Sequence, residues 1–238
     1  ARRWNALVGL TAILLAQGRV ADARQRLDSA IAHGLGGSTI YLLAATTVPG
    51  LGDRATEIAG RDALAFGANY RDCPYNTRLW ILGLWEAHAG RADVVAAIGH
   101  DFEERARKSG SAVDRLSASA LLAHAAEARG DTSAALRRFT AVLSEGIPGE
   151  LLAWDQLGPR GSERLALARL LMSRGEFQRA IDVASVFDSP WPLIYTLYLP
   201  ASLKLRAEAA AALGDARLEE RFRGRLAALS ADRVVAAS

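Results

Sequence analysis

The sequence predicts an all-α, right-handed α-solenoid of about six antiparallel helix pairs, and three observations carry that expectation. First, Gly18, Gly52, Gly90, Gly130, Gly175 and Gly214 recur at one place in an amphipathic frame, 34, 38, 40, 45 and 39 residues apart. Second, each glycine follows an apolar stretch with helical spacing and precedes another, Ala-rich one; a period near forty with two helices per unit marks stacked helix pairs. Third, half of the 238 residues are apolar, only 23% are charged, and β-branched runs are scarce beside Ala and Leu. Ala and Leu lose the least side-chain freedom in a helix.

The first unit sets the template. Leu7, Leu10 and Leu14 form one helical stripe, Gly18 reverses the chain, and Val20, Ala23, Leu27 and Ala30 form the stripe of the second helix. The small residue five after the glycine allows close approach of the two helices. The frame returns with Leu79, Leu82 and Gly83 before Gly90, then Ala92 and Val95. It returns with Leu122 and Ala126 before Gly130, then Ala135, Phe139 and Val142. Leu167, Ala168 and Leu171 precede Gly175, with Phe177, Ala180, Ala184 and Phe187 after it. Leu203, Ala207 and Ala210 precede Gly214, with Ala216 and Leu226 after it. The closing helix gathers Leu218, Phe222, Leu226 and Leu229 on one face and charge elsewhere, as a terminal cap requires.

These units place one helical-repeat domain over 1–238, with repeats at 4–37, 38–66, 76–109, 113–147, 161–187 and 199–230. Longer loops fall at 67–76, 145–161 and 188–199. The last, Asp188 to Pro200, carries Pro190, Trp191, Pro192, Leu193, Ile194, Tyr195 and Tyr198. It is too apolar to stand free and is expected to pack on the solenoid as a short helix or a strap. Pro200 suits the first turn of the helix that follows.

The residues resemble the tetratricopeptide repeat (TPR) family. Gly175, Phe177 and Ala180 fit that pattern best, followed by Gly130 with Ala135, and Gly18 with Val20 and Ala23. The unit around Gly52 departs from it, because Val48-Pro-Gly-Leu-Gly52 interrupts the helix and Glu57 stands where Ala is expected. The Arg- and Ala-rich style is also similar to the repeat regions of large bacterial signalling and regulatory proteins. The resemblance implies a protein- or peptide-binding scaffold whose concave surface comes mainly from the first helix of each pair. Carried onto this sequence, that groove holds Trp80, Leu84, His88, His124, Glu127, Arg169, Lys204 and Glu208. Trp80 is the expected apolar anchor, and Arg169 and Lys204 are expected to fix acidic groups. Chaperone-binding members use Lys and Asn clamps for a terminal carboxylate; no matching Asn is present, so that role is disfavoured.

Chemistry is not expected. His33-Gly-Leu-Gly-Gly37 has the wrong spacing for a dinucleotide or phosphate loop and reads as a helix end. No Gly-x-Ser-x-Gly or His-Glu-x-x-His occurs. His33, His88, His100 and His124 fall in different units without a third ligand at metal spacing, so neither a metal nor another cofactor is implied. Cys73, the single cysteine, excludes an intrachain disulfide and fits a reducing, cytoplasmic setting, with the periplasm as the alternative. The net charge of +3 comes with acids interspersed throughout, so no nucleic-acid stripe stands out. Arg2-Arg3 with the apolar run Ala6 to Ala16 imitates a signal peptide, and Val20 to Ala23 a cleavage site. The run matches the first helix of the repeat frame instead, and it falls short of the roughly 20 residues a membrane span needs. The opening at Ala1, without Met, reads as a processed chain or a piece of something larger. Two other classes stay open: a structural subunit assembling through flat faces and long loops, and an enzyme with its site inside a helical toroid.

Overall fold

A computed structural model describes residues 2–32, 47–48, 51, 75–145, 160–189 and 192–235. Ten helices account for the regular structure there: α1 (Arg2–Ala16), α2 (Val20–Ala32), α3 (Tyr75–His88), α4 (Ala92–Ser109), α5 (Ala112–Ala128), α6 (Thr132–Ser144), α7 (Gly161–Ser173), α8 (Phe177–Ala184), α9 (Tyr195–Ala212) and α10 (Ala216–Val235). A 3₁₀ turn, Ser185–Asp188, continues α8. Most of the expected 38–66 unit, Gly52 included, most of the 67–76 and 145–161 loops, the His33 glycine run, Cys73, Trp154 and Trp191 lie outside the described residues.

Five of the six repeat glycines are described, and all five make the same turn. Gly18, Gly90, Gly130, Gly175 and Gly214 have φ between 70° and 76°. At each, the glycine N–H donates three residues back and the next N–H donates five back, as in Gly90 to Ala87 O and Arg91 to Glu86 O, both 2.9 Å. This bond pair is the Schellman motif. A Cβ added at Gly90, Gly130, Gly175 or Gly214 would meet nothing within 4 Å. Backbone angle, not crowding, therefore selects glycine here. The next helix is then capped: Asp131 Oδ1 accepts from Ala134 N and Asp215 Oδ1 from Leu218 N, both 2.9 Å.

Each glycine joins two helices that pack on one another, and successive pairs stack from α3 to α10. This is the α-solenoid arrangement. The residues five after Gly18, Gly130 and Gly175 (Ala23, Ala135 and Ala180) are all 0% exposed. Replacing Ala135 or Ala180 with Leu is expected to overpack the layer and cost about 1–3 kcal/mol. Unchanged melting midpoints in both variants would refute this register. The closing helix behaves as a cap: Phe222 is buried, and Leu218, Leu226 and Leu229 pack beside it on α9.

Three local expectations are corrected. Leu10, expected in the buried stripe, is 41% exposed, because α1 turns Thr11, Ala12, Leu14 and Leu15 inward. Trp80, the expected apolar anchor of the groove, is buried, as is Trp85 five residues on. The described part of the 188–199 segment does pack on the solenoid, but α9 starts at Tyr195, so Pro200 lies in its second turn and not its first. Burial explains that override. Ile194, Tyr195, Leu197 and Tyr198 are all at most 5% exposed, and Phe187 contacts both tyrosine rings. Burying each such side chain contributes about 1.5–3 kcal/mol, together more than the roughly 3 kcal/mol a proline inside a helix costs.

Candidate partner-binding groove

The first helices of the described pairs after the gap, α3, α5, α7 and α9, carry the expected groove residues. The structure brings four of them together. His124 on α5 places Nδ1 3.4 Å from Glu127 Oε2, one turn along the same helix. Glu127 Oε1 accepts from Arg169 Nη2 of α7 at 2.9 Å. His88, at the end of α3, lies within the electrostatic reach of His124, Arg169 and Glu127. Lys204 and Glu208 stand apart, exposed one turn from each other on α9.

Trp80 and Leu84 do not line a surface. They are 1% and 0% exposed, inside the apolar cluster of α3, α4 and α5. A Cβ on Gly83 would collide with the Leu121 side chain, so the missing side chain lets α5 close over α3 and cover this stripe. His124 is also buried, at 2%, with its ring edge-on to Phe139 at 4.8 Å. The accessible strip is thus His88, Glu127, Arg169, Lys204 and Glu208.

Beneath the strip lies a partner that sequence spacing did not reveal. Glu163, in the first turn of α7, is 1% exposed, and its Oε1 sits 3.5 Å from His124 Nε2. Tyr198 is buried beside it, against Gly161, where any Cβ would strike the tyrosine ring. Arg160 precedes α7 with φ 53° and donates from Nη1 to Glu145 O at 3.1 Å. His124 and Glu163 lie far apart in the chain, with the whole of α6 between them. Only the apolar surroundings of His124 hinted that it needed a partner.

The charges follow from this geometry. Burial pushes His124 down, but the carboxylates of Glu127 and Glu163 beside its ring outweigh it and raise its pKa above 6.5. Burial would raise Glu127, yet His124 and Arg169 bring it down to about 2. Glu163 is likewise lowered, by His124 and Ser162, against its burial. His88 is lowered to about 4, by desolvation on its protein side and by the positive charge of His124 and Arg169, against the pull of Glu127. The cluster therefore favours protonation of His124 between two carboxylates and a neutral His88.

Stability is expected to peak near pH 6.5. The stabilisation from His124 is complete below its ordinary 6.5 and is lost as pH climbs through the raised folded value. His88 acts oppositely: its contribution is lost as pH falls from 6.5 through about 4. The two carboxylates add a further loss below 4.5. Melting midpoints measured from pH 3 to 9 check this, and His88→Gln should flatten the segment between 6.5 and 4. A midpoint rising steadily to pH 9 would contradict it.

Among the described residues, no three His, Cys, Asp or Glu are arranged to hold a metal ion. No described helix is long and apolar enough to cross a membrane. Of the arginines on α10, Arg225 binds Asp188 and Arg223 pairs with Glu219.

No protein-family model matches the chain, and no curated protein matches it. Among solved structures it is similar to a Podosopora anserina protein described as a kinesin light chain with nearly identical TPR-like repeats. The identity is 16% over 97% of this chain and 96% of that one, with a TM-score of 0.45. A point variant of the same protein is similar at 17% identity, with the same coverage and a TM-score of 0.43.

Proposed function

We propose that the chain is a protein- or peptide-binding scaffold that does no chemistry itself, and that its partner lies along the strip formed by His88, Glu127, Arg169, Lys204 and Glu208. One observation carries this reading. Lys204 and Glu208 are exposed on the same side of α9, and neither has an ion-pair partner among the described residues. Exposed charges held one turn apart on a buried helix are a rigid recognition pair. Arg169 is half-exposed and fixed by Glu127, so its remaining donors are pre-oriented for an acidic group on the partner. Stacked pairs can vary such a strip without disturbing the packing beneath it.

Capture of partners from a cell lysate with the purified chain, followed by mass spectrometry, would supply the ligand. The double reversal Lys204→Glu/Glu208→Lys should then weaken binding by about tenfold or more, with an effect that shrinks as salt rises. Arg137→Glu/Arg138→Glu, on the exposed side of α6, should leave affinity unchanged. The reverse pattern would replace this reading with that of a structural subunit docking through its outer faces.

A further inference from the structure

Helix α1 packs where an external ligand would be expected. Among the described elements it packs on α2 and on α9. The other sides of α9 are occupied by α10, by α8 with its 3₁₀ turn, and by α7. Helix α1 makes no comparable packing on α10, so it does not extend the stack as a following repeat. It takes the remaining, inward side of α9. Leu197, Ala201, Lys204 and Glu208 recur at spacings of four, three and four and share that side. Leu197 is 0% exposed while Lys204 and Glu208 are open. Ala12, Leu14 and Leu15 of α1 belong to the same apolar cluster as Ile194, Leu197 and Leu205, with Leu193 and Ala201 packed against it. A Cβ on Gly9 would lie 3.9 Å from Leu193 Cδ2, which places α1 at the start of α9.

The fit is incomplete on both sides of α1. Thr11 is 0% exposed, yet its Oγ1 has no hydrogen-bond partner among the described residues. A buried hydroxyl left unpaired opposes docking. On the other side, Leu10 and Ile13, one turn apart, are 41% and 48% exposed. A helix that packs on both α2 and α9 and still leaves an apolar edge open is poorly matched to its seat.

We propose that α1 is a displaceable occupant of the inner face of α9, and that the partner is an amphipathic helix presenting the same pattern, an adjacent Leu pair with one small residue two positions before it and another directly after it. Such a helix would replace Ala12, Leu14, Leu15 and Ala16 over Ile194, Leu197, Ala201 and Leu205, and would run on toward Lys204 and Glu208. The proposal rests on the groove reading above and deepens it: the apolar half of the site is filled in the resting chain, and the charged half is open.

The test uses the full chain and a fluorescent peptide of residues 2–17. Amides of α1 should exchange with deuterium at least about tenfold faster than those of α9, reporting a local opening. Leu14→Asp/Leu15→Asp in the chain should release α1 and tighten peptide binding by about tenfold, because the competent fraction rises. Leu197→Asp should abolish that binding. A lock guards against misfolding: Gly9→Cys/Leu193→Cys in a Cys73→Ser background should bind peptide when reduced and lose it when oxidised. Exchange of α1 in step with α9, or equal peptide binding by the oxidised and reduced lock, would overturn the proposal and make α1 a permanent wall. Neither readout needs the native partner, so failure here leaves the charged strip standing. A partner indifferent to Lys204 and Glu208 would instead sink the strip without altering the exchange result.

Discussion

Asp188→Ala should destabilise the C-terminal end of the chain by about 3 kcal/mol, lowering the melting midpoint by roughly 6–12 °C. Arg206→Met should cost much less, about 1 kcal/mol. The asymmetry is the point. Arg206 is 1% exposed, binds Asp188 through two bonds of 2.9 and 2.7 Å, and lies 4.7 Å over the Phe222 ring. Removing the carboxylate strands a buried guanidinium, and the neighbouring Arg225 then repels it. Removing Arg206 leaves an Asp188 that is 38% exposed and still bonded to Arg225 at 2.7 Å, while Met keeps the contact with Phe222. That exposure is why the larger figure sits at the low end for buried pairs. The two arginines hold Asp188 well below the usual carboxylate range, so the clamp survives mild acid. It ties α9 and α10 to the 3₁₀ turn. Exchange protection should therefore fall first in α10, and equal losses in both variants would contradict the stranded-charge account.

His124→Leu is the second large effect, expected at about 3 kcal/mol at pH 7. Glu163, whose side chain is 2% exposed, loses its closest cation, whereas Glu127 keeps Arg169. The penalty should shrink in acid, where Glu163 can take up a proton. The double variant His124→Leu/Glu163→Leu should recover at least half of the loss, because an apolar pair replaces a buried ion pair without a remnant charge. Denaturant melts of the wild type, both single variants and the double variant close this cycle. Additive losses would mean that the two residues act independently.

Much of the architecture was legible because it depends on local chemistry. A left-handed turn needs glycine, and five described repeat glycines make the same pair of backbone bonds. The small residues five positions on, and the Leu218–Phe222–Leu226–Leu229 face, follow from helical periodicity alone. The candidate strip was legible only in part. The family resemblance assigned His88, His124, Glu127 and Arg169 to one expected surface, and these four do come together, because side chains from stacked first helices line up whatever their identity.

Exposure was a different matter. Register assigns a direction to Trp80, Leu84 and His124 but says nothing of how closely the next helix approaches along it. Gly83 lets α5 close over α3, and that single approach moves Trp80 and Leu84 from groove to core. Glu163 and Asp188 found their cations across turns and intervening helices, where chain distance carries no information. Periodicity and glycine chemistry are properties of neighbouring residues, so this chain's own order of amino acids specified its helices, turns and stacking. Burial and ion pairing depend on the distance between helices, and only their packing settled which charges are sheltered, that Pro200 lies inside a helix, and that α1 lies across α9.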